Sequence, residues 1–263
     1  KKGEKIVSVG EIINSSHILA FKSLGVDKIV VKKKPIILFY STGNEISKKK
    51  NIPNWKIRNS NSHYIKSLAS NSFFEIIDGG ILRDKDDIMF KKLINKNFKS
   101  KCDIIITNGA VSAGKYDFVP RIIKNFKLSN YFKGVAIRPG KPVMFAKFKS
   151  KNKSFFGLPG NPMSSAACFK FFVYPYLRFI LNMKNEKPYK AKLKSSYFKK
   201  KNFTRFLKGR ILANKKGNLE VVVLKGQESF KIKPFTNANT WALFKSGKST
   251  FKKNELIECY NLL

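Results

Sequence analysis

Short apolar runs that alternate with helix-like segments are the feature that most limits the fold of this chain. Residues 36–41 (IILFYS) and 103–107 (DIIIT) each predict a buried strand that leads into a loop with glycine. The spacing of apolar residues predicts helices elsewhere, the longest at 84–98 and 163–181. Strands that alternate with helices predict a three-layer α/β domain with a mostly parallel sheet, over residues 35–183.

The pattern changes on either side of this domain. Residues 184–263 carry short strand candidates separated by turns, which predict a small β domain. Residues 1–34 form a separate piece, with a short helix predicted to end at Gly25 and a strand predicted at 27–31. Because the sequence does not begin with Met, we expect a fragment or a processed product.

The formal net charge is +38, from 54 Lys and Arg against 16 Asp and Glu. Such an excess suggests nucleic acid or an anionic membrane surface as a partner. Only 7 of the basic residues are Arg, although Arg makes the bidentate contacts with which proteins read nucleic acid. Because the Lys residues are spread along the chain, we favour a compositionally biased surface and expect no specific nucleic-acid partner.

Membrane and disulfide signals are missing from the sequence. No apolar run reaches the ~18 residues of a membrane span, and the N-terminus has no signal-peptide pattern. Cys102, Cys168 and Cys259 lie far apart without metal-binding spacing, so we expect small core residues rather than a disulfide framework or a zinc site. These features predict no membrane partner and a reducing, cytoplasmic location.

Four loops are expected to meet at the carboxyl-terminal edge of the sheet, where open α/β sheets bind ligands. They span residues 41–45, 107–117, 138–142 and 158–162. Their glycines let backbone N–H groups approach an anion, and the last loop leads into a helix for which Asn161 is the predicted N-cap. Four such loops at one edge predict an anion-binding site rather than four unrelated turns.

Three acidic residues, Glu45, Asp84 and Asp117, lie beside predicted strand ends in a chain that has few acids. Carboxylates beside a phosphate-like ligand commonly hold Mg²⁺ or another oxygen-preferring cation. Stabilisation of a helix N-terminus is the alternative for Asp84, and it is the favoured explanation for Asp86 and Asp87. The sequence contains no P-loop and no dinucleotide-binding glycine motif.

Six segments carry the distinctive motifs of the chain: S-T-G-N-E-I (41–46), N-S-N-S (59–62), D-G-G-I-L-R-D (78–84), T-N-G-A-V-S-A-G-K-Y-D (107–117), V-A-I-R-P-G-K-P (135–142) and G-L-P-G-N-P-M-S-S (157–165). With them the chain resembles the MoeA family, the molybdopterin molybdenumtransferases that include the C-terminal part of gephyrin. The resemblance implies a molybdopterin-binding α/β domain followed by a β-barrel-like C-terminal domain. Residues 1–34 then resemble the return segment of the family's dimer domain.

The resemblance also implies a reaction. Molybdenum from molybdate is inserted into adenylylated molybdopterin (molybdopterin-AMP), with release of AMP and with Mg²⁺ or another divalent cation as cofactor. It implies a homodimer for the complete protein and a molybdopterin adenylyltransferase as pathway partner. An adenylyltransferase-like enzyme, and an inactive or scaffold remnant of the family, stay open as alternatives.

Site residues follow from the motifs that match. Glu45, Asp84 and Asp117 correspond to catalytic acidic positions, and Glu45 and Asp117 would also bind the metal. The implied substrate-binding residues are Thr42, Gly43, Asn108, Gly109, Ser112, Gly114, Arg138, Pro139, Lys141, Pro142, Gly160, Asn161 and Ser229.

The sequence departs from the family pattern at several positions. Asn44 replaces the usual Asp beside Glu45, Ala110 replaces a Gly, and Lys115 stands where an acidic residue is common. Lys208 stands where an Arg is usual. The family's further N-terminal region, which lines the cleft of the other subunit in the homodimer, has no counterpart in this sequence.

Overall fold

The computed structural model describes residues 3–70, 72–83, 86–98, 101–111, 118–149 and 153–263 of the 263-residue chain. The first elements along the chain are α1 Ser15–Ser23, β1 Ile36–Thr42, β2 Ile46–Ser47, β3 Ile57–Arg58, α2 Ser60–Leu68, β4 Glu75–Leu82, α3 Asp87–Phe98, β5 Ile104–Asn108, α4 Phe118–Lys124, β6 Leu128–Lys133, β7 Ile137–Arg138, β8 Met144–Phe148, β9 Ser154–Leu158, α5 Pro162–Cys168 and α6 Tyr174–Ile180. The later elements are β10 Tyr189–Leu193, β11 Tyr197–Phe198, β12 Thr204–Ala213, β13 Leu219–Val223, α7 Lys233–Thr236, β14 Thr240–Phe244, β15 Thr250–Phe251 and β16 Leu256–Asn261.

The first sheet has the strand order β4-β1-β5-β9-β8-β6. Strands β4, β1, β5 and β9 run parallel, whereas β8 is antiparallel to β9, and β6 is antiparallel to β8. The central strand β5 is buried along its whole length, as expected for a parallel strand whose two faces are both covered. The predicted α/β fold with a mostly parallel sheet is therefore confirmed.

Alternating side chains of β1 enter two separate cores, one on each face of the sheet. Phe39 belongs to the cluster that includes Ile65 of α2. Tyr40, its neighbour in sequence, belongs to the cluster that includes Phe90 of α3 and Val119 of α4. Helices thus cover both faces, which gives the three layers that the sequence predicts.

The second sheet closes on itself. Its order is β13-β10-β16-β14-β12-β7, and β12 also pairs with β13, so five strands form a closed barrel. Inside the barrel Leu193, Leu207, Val221 and Phe244 pack in one cluster. This confirms the expected β-barrel-like C-terminal domain, while the exact domain boundaries stay predictions.

A shared strand pairing and shared aromatic packing join the barrel to the α/β part. Strand β7 pairs in parallel with β12, and the Thr204 N–H donates to the Ala136 carbonyl at 3.0 Å. Phe171 stacks on Phe206 of the barrel, with ring centroids 3.9 Å apart and an interplanar angle of 10°. Phe206 and Trp241 belong to the same buried cluster as core residues of the α/β part.

One local prediction is wrong. Residues 27–31 form no strand, because Val30 is fully exposed and no described segment pairs with it. Helix α2 is capped by the Asn59 side chain, because Asn59 Oδ1 accepts from the Ser62 N–H. The long helix predicted at 163–181 is confirmed in its extent, because α5 and α6 are joined without a break by a π-helical segment.

Cys102, Cys168 and Cys259 are free and buried, as the sequence predicts for core residues. Burial raises the pKa of the Cys168 thiol and raises that of Cys259 to about 11. Among the described residues, none of the helices combines the length and the apolar character that a bilayer crossing requires.

The stacked ring of Phe206 gives a test of the interface between the two parts. Phe206→Ala should lower the free energy of unfolding by about 3 to 5 kcal/mol, because the truncation leaves a cavity beneath Phe171. Phe198→Ala is the control, since Phe198 is 74% exposed and its loss should cost less than about 0.5 kcal/mol. Urea denaturation measures both variants, and equal losses would contradict the packing role of Phe206.

Candidate functional site

The loops that follow β1, β5 and β9 surround a cavity of about 440 Å³, here called the sheet-edge cavity. Thr42 and Glu45 come from the first loop, Gly109 from the second and Asn161 from the third. Because these three strands are parallel neighbours, their carboxyl ends meet at one edge, as the sequence predicts.

Backbone contacts around Gly43 hold the loop that carries Glu45. The Gly43 N–H donates to the Leu82 carbonyl at 3.0 Å, and Arg83 Nη1 donates to the carbonyls of Gly43 (3.0 Å) and Ile46 (2.9 Å). Gly43 has φ +136°, and a Cβ at this position would overlap the Glu45 carboxylate. Glycine therefore lets the exposed Glu45 carboxylate fold back against the loop and line the cavity.

The buried Asn108 side chain ties the end of β5 to the turn after β9 and to helix α2. Its Nδ2 donates to the Pro159 carbonyl (2.7 Å) and to Ser165 Oγ (2.9 Å), and its Oδ1 accepts from Asn61 Nδ2 (2.6 Å). Asn61 Nδ2 also donates to the Gly160 carbonyl at 2.7 Å. Because protein atoms take up these hydrogen bonds, Asn108 fixes the turn at 159–160 relative to β5, and its predicted contact with substrate stays a prediction.

Gly109 lies where two strand ends approach each other closely. Its N–H donates to the Leu158 carbonyl at 2.8 Å, and its φ is +103°. A Cβ at Gly109 would lie 2.5 Å from Thr42 Oγ1 and 2.6 Å from the Thr42 carbonyl oxygen. Thr42 Oγ1 in turn donates to the Asn108 carbonyl at 3.0 Å. Only a residue without a side chain fits between these atoms.

A second cavity, here called the interdomain cavity, has a volume of about 840 Å³ and lies between the α/β part and the barrel. Its basic lining residues are Arg138, Lys141, Lys194, Arg205 and Lys225. Glu228, which also lines it, is paired with Lys231 at 2.9 Å. Pro142 lines both cavities, so the two adjoin at that residue.

The fourth predicted loop, 138–142, therefore reaches the sheet-edge cavity only through Pro142. The pairing of β7 with β12 turns this loop toward the barrel, and Arg138 and Lys141 line the interdomain cavity instead. The expectation that all four loops meet at one edge is wrong in this respect.

Asn161 and Ser229 connect the two cavities. Asn161 Nδ2 donates to Ser229 Oγ at 3.2 Å, and the Met163 N–H donates to the Ser229 carbonyl at 3.2 Å. The Asn161 carbonyl accepts the Ser165 N–H, but the Asn161 side chain makes no capping hydrogen bond to α5. Asn161 is thus the N-cap residue of α5, as predicted, but its side chain bonds to Ser229 of the barrel instead of capping the helix.

Lys208 shapes the wall of the interdomain cavity. Its side chain is 1% exposed, and Nζ donates to the carbonyls of Gly226 (2.6 Å), Lys231 (3.0 Å) and Glu228 (3.3 Å). The Gln227 side chain pairs with the Lys208 backbone, accepting from its N–H at 2.9 Å and donating to its carbonyl at 2.8 Å. Burial lowers the pKa of Lys208, and the three carbonyls fix the loop that carries Ser229.

The predicted site residues divide between the two cavities. Those that line the sheet-edge cavity are Thr42, Gly43, Glu45, Asn108, Gly109, Pro142, Gly160 and Asn161. Those that line the interdomain cavity are Arg138, Pro139, Lys141, Pro142 and Ser229. Asp84, Ser112, Gly114 and Asp117 lie outside the described residues.

Asn61 and Arg205 are not among the site residues that the sequence predicts. Asn61 lies in the N-S-N-S motif, which could have indicated it, whereas Arg205 has no local signal because its position depends on the pairing of β12 with β7.

Glu45 is suited to hold a divalent cation together with a substrate. No group of three or more His, Cys, Asp or Glu side chains that could bind a metal occurs within the described ranges. Mg²⁺ commonly uses one or two carboxylates and completes its coordination with substrate phosphates and water. An exposed carboxylate beside a cavity fits that mode.

The protein combines an α/β part with a closed β-barrel, and a basic cavity lies between the two. This cavity adjoins the carboxyl edge of the parallel sheet, as in a protein that binds an anionic ligand. Comparison with known families agrees with this class. Residues 39–178 match the family described as a probable molybdopterin binding domain, and residues 190–262 match the MoeA C-terminal region, domain IV. The chain belongs to the MoeA family.

Similar proteins span more than this chain. It is 30% identical over 263 residues to the molybdopterin molybdenumtransferase of Staphylococcus aureus strain Mu50, covering 98% of this chain and 61% of that protein. The corresponding values for Staphylococcus epidermidis are 29%, 98% and 61%.

Solved structures show the same fold. The molybdopterin biosynthesis MoeA protein of Pyrococcus horikoshii superposes with a TM-score of 0.78 at 25% identity, over 98% of this chain and 62% of that one. A molybdenum cofactor biosynthesis protein of Pyrococcus furiosus, at 21% identity and a TM-score of 0.71, covers 98% of this chain and 80% of that one.

Gly109 gives a test of the close approach at the sheet edge. Gly80→Ala is a matched control, because Gly80 has φ +98° and no atom within 4 Å of an added Cβ. The control should lose about 1 to 2 kcal/mol of folding free energy through backbone strain. Gly109→Ala should lose roughly 2 kcal/mol more, because its Cβ also meets Thr42. Urea denaturation measures both, and equal losses would contradict the close packing.

Proposed function

We propose that this chain carries out the molybdotransferase step of molybdenum cofactor biosynthesis: it inserts molybdenum from molybdate into molybdopterin-AMP and releases AMP. The chain spans about 61% of the length of the curated relatives that it matches, so their activity is carried over as a proposal. One observation carries it: the cavity lined by Glu45 adjoins the cavity lined by Arg138, Lys141 and Ser229 at a shared residue. An anionic substrate and a second anion can thus bind next to each other.

The two cavities divide the work between charges of opposite sign. Arg138 and Lys141 would bind the anionic groups of molybdopterin-AMP and molybdate, because guanidinium and ammonium groups form charge-assisted hydrogen bonds with oxyanions. Glu45, with the predicted Asp84 and Asp117, would hold Mg²⁺ and orient water for release of AMP. A bound divalent cation would supply charge stabilisation to the phosphate. The dithiolene of the pterin supplies the sulfur ligands of molybdenum, which agrees with three cysteines that are buried.

The alternatives explain less of the molecule. An adenylyltransferase-like enzyme leaves the barrel and its wall of the interdomain cavity without a role. A scaffold remnant leaves no reason for the Asn108 network that fixes the loops around the sheet-edge cavity.

The partner predictions belong to the same proposal. The N-terminal piece carries large exposed apolar side chains, among them Val9 (80%), Leu19 (71%) and Val30 (103%). An exposed apolar surface of this kind is typical of a subunit interface, which supports a homodimer for the complete protein. A molybdopterin adenylyltransferase would supply the substrate, and free thiols fit the proposed cytoplasmic location.

Glu45→Gln tests the proposed reaction. The variant should lower molybdate-dependent AMP release from molybdopterin-AMP by at least about 100-fold, because it removes the charge that would hold the cation while keeping the shape. Glu75→Gln is the control, since Glu75 is exposed at the start of β4, away from the carboxyl edge of the sheet. Both variants should keep the wild-type unfolding midpoint.

Two results would overturn the assignment. Normal turnover by Glu45→Gln would contradict the role of Glu45 and of the sheet-edge cavity in the reaction. Formation of molybdopterin-AMP from ATP and molybdopterin by the wild-type chain would favour the adenylyltransferase alternative instead.

The dimer proposal predicts concentration-dependent self-association. In sedimentation velocity, Val30→Asp should reduce association of the chain, because it places a charge on the exposed apolar surface. Leu256→Asp is the control, since Leu256 is 59% exposed on the barrel. A chain that stays monomeric at all concentrations would contradict a dimer built through residues 3–34.

A further inference from the structure

We propose that Arg205 and Arg138 together form a two-arginine seat for one tetrahedral dianion in the interdomain cavity. The inference rests on the proposed function and deepens it, because it adds Arg205 to the groups that bind the anionic substrate. Arg205 comes from the barrel and Arg138 from the α/β part, so the seat exists only where the two parts meet.

Strand pairing places the two arginines side by side. Arg205 of β12 is the register partner of Arg138 of β7 in a parallel pair. Partners in neighbouring strands project from the same face of a sheet, and the strands lie about 4.8 Å apart. Both residues accordingly line the same cavity. Two like charges at opposed positions destabilise a sheet unless an ion of opposite sign lies between them.

No described residue neutralises the charge of either guanidinium. In the part of the chain that the structure describes, neither Arg138 nor Arg205 forms a salt bridge or a side-chain hydrogen bond, and Arg205 Nε is buried without an acceptor. The Arg138 guanidinium lies over the Phe203 ring, 4.8 Å from its centroid. Stacking of this kind orients the group without satisfying its N–H donors.

The surroundings of the pair are also positive. Lys141, Lys194 and Lys225 line the same cavity. Burial, and after it the charge of Arg205, lowers the pKa of nearby Lys199. The carboxylate that lines the cavity, Glu228, is paired with Lys231. An anion bound between the arginines would therefore relieve repulsion within the whole cluster.

The chemistry of the pair selects the class of ligand. A guanidinium presents parallel N–H donors that match two oxygens of a phosphate-like group, and two guanidiniums match a doubly charged ion. The ligand is thus a tetrahedral oxyanion of charge −2, which is either free molybdate or the phosphate of released AMP. Sodium molybdate and AMP serve as separate probes of these two sources.

Isothermal titration of the full chain with each probe tests the seat. Arg205→Gln should weaken binding of the preferred probe by about 10- to 100-fold, because one charge-assisted donor group is lost. The affinity of Arg205→Lys should lie between those of Arg205→Gln and wild type, since lysine keeps the charge but loses the paired donors. Arg210→Gln is the control, because Arg210 is exposed on the same strand and does not line the cavity, and it should change binding less than about twofold.

Thermal unfolding gives a second readout that does not depend on turnover. Without added anion, Arg205→Gln should unfold at the wild-type temperature or above it, because a like-charge contact is removed. The same concentration of molybdate or AMP should raise the unfolding midpoint of wild type clearly more than that of the variant, because the variant binds the anion more weakly.

The outcomes separate this inference from the proposed function. If wild type binds one of the two probes more tightly than the other, and Arg205→Gln weakens that binding, the seat is supported. The probe that binds more tightly then identifies the source of the anion. Wild-type affinity in Arg205→Gln, or no binding of either probe by wild type, overturns it. AMP release that depends on Glu45 but not on Arg205 would leave the proposed function standing without the seat.

Discussion

The pairing of β7 with β12 is the contact on which the arrangement of charge in this molecule depends. Two register partners and the hydrogen bond from Thr204 to the Ala136 carbonyl bind the start of the 138–142 loop into the edge of the barrel. Because the loop is held from the barrel side, its basic side chains face the interdomain cavity, and Pro142 is left to border the sheet edge. The stacked rings of Phe171 and Phe206 keep the two parts in the relation that this pairing requires.

Rigidity at the sheet edge comes from a different source. Asn108 links β5, the turn at 159–160 and α2 through one buried amide, and each hydrogen bond lies between 2.6 and 2.9 Å. A buried polar network stabilises one geometry when its members are all satisfied, and it is costly when one is missing. Lys208 plays the same role on the barrel side, where one buried ammonium binds three carbonyls. Each cavity therefore has a wall whose shape is fixed by a buried side chain that need not contact the ligand.

The sequence predicted the layers of the fold well, but it did not predict that the site residues divide between two cavities. Continuous apolar runs such as 104–108 predict buried parallel strands. The change of pattern after Pro188 predicts the barrel. Local patterns also supplied Glu45 and Gly109, which follow directly from strand ends. Arg205 could not be found in this way, because its neighbour Arg138 lies far away in sequence and the pairing of their strands has no local signature. The strand predicted at 27–31 failed for the related reason that an apolar run forms a strand only when another strand is available to pair with it.

The large positive charge of the chain attracts anions in general but does not select one of them. A net charge of +38 on a surface of scattered lysines raises the local concentration of any anion, and salt screens that attraction within about 10 Å at ordinary ionic strength. Selectivity needs groups whose directions are fixed. Arg138 is oriented by the ring of Phe203, and Arg205 is anchored in a strand that is paired on both sides. Two of the seven arginines lie opposite each other at the junction of the two parts, whereas most lysines face solvent. Arginine has a planar fork of N–H donors, so it is found where an oxyanion must be held in one orientation.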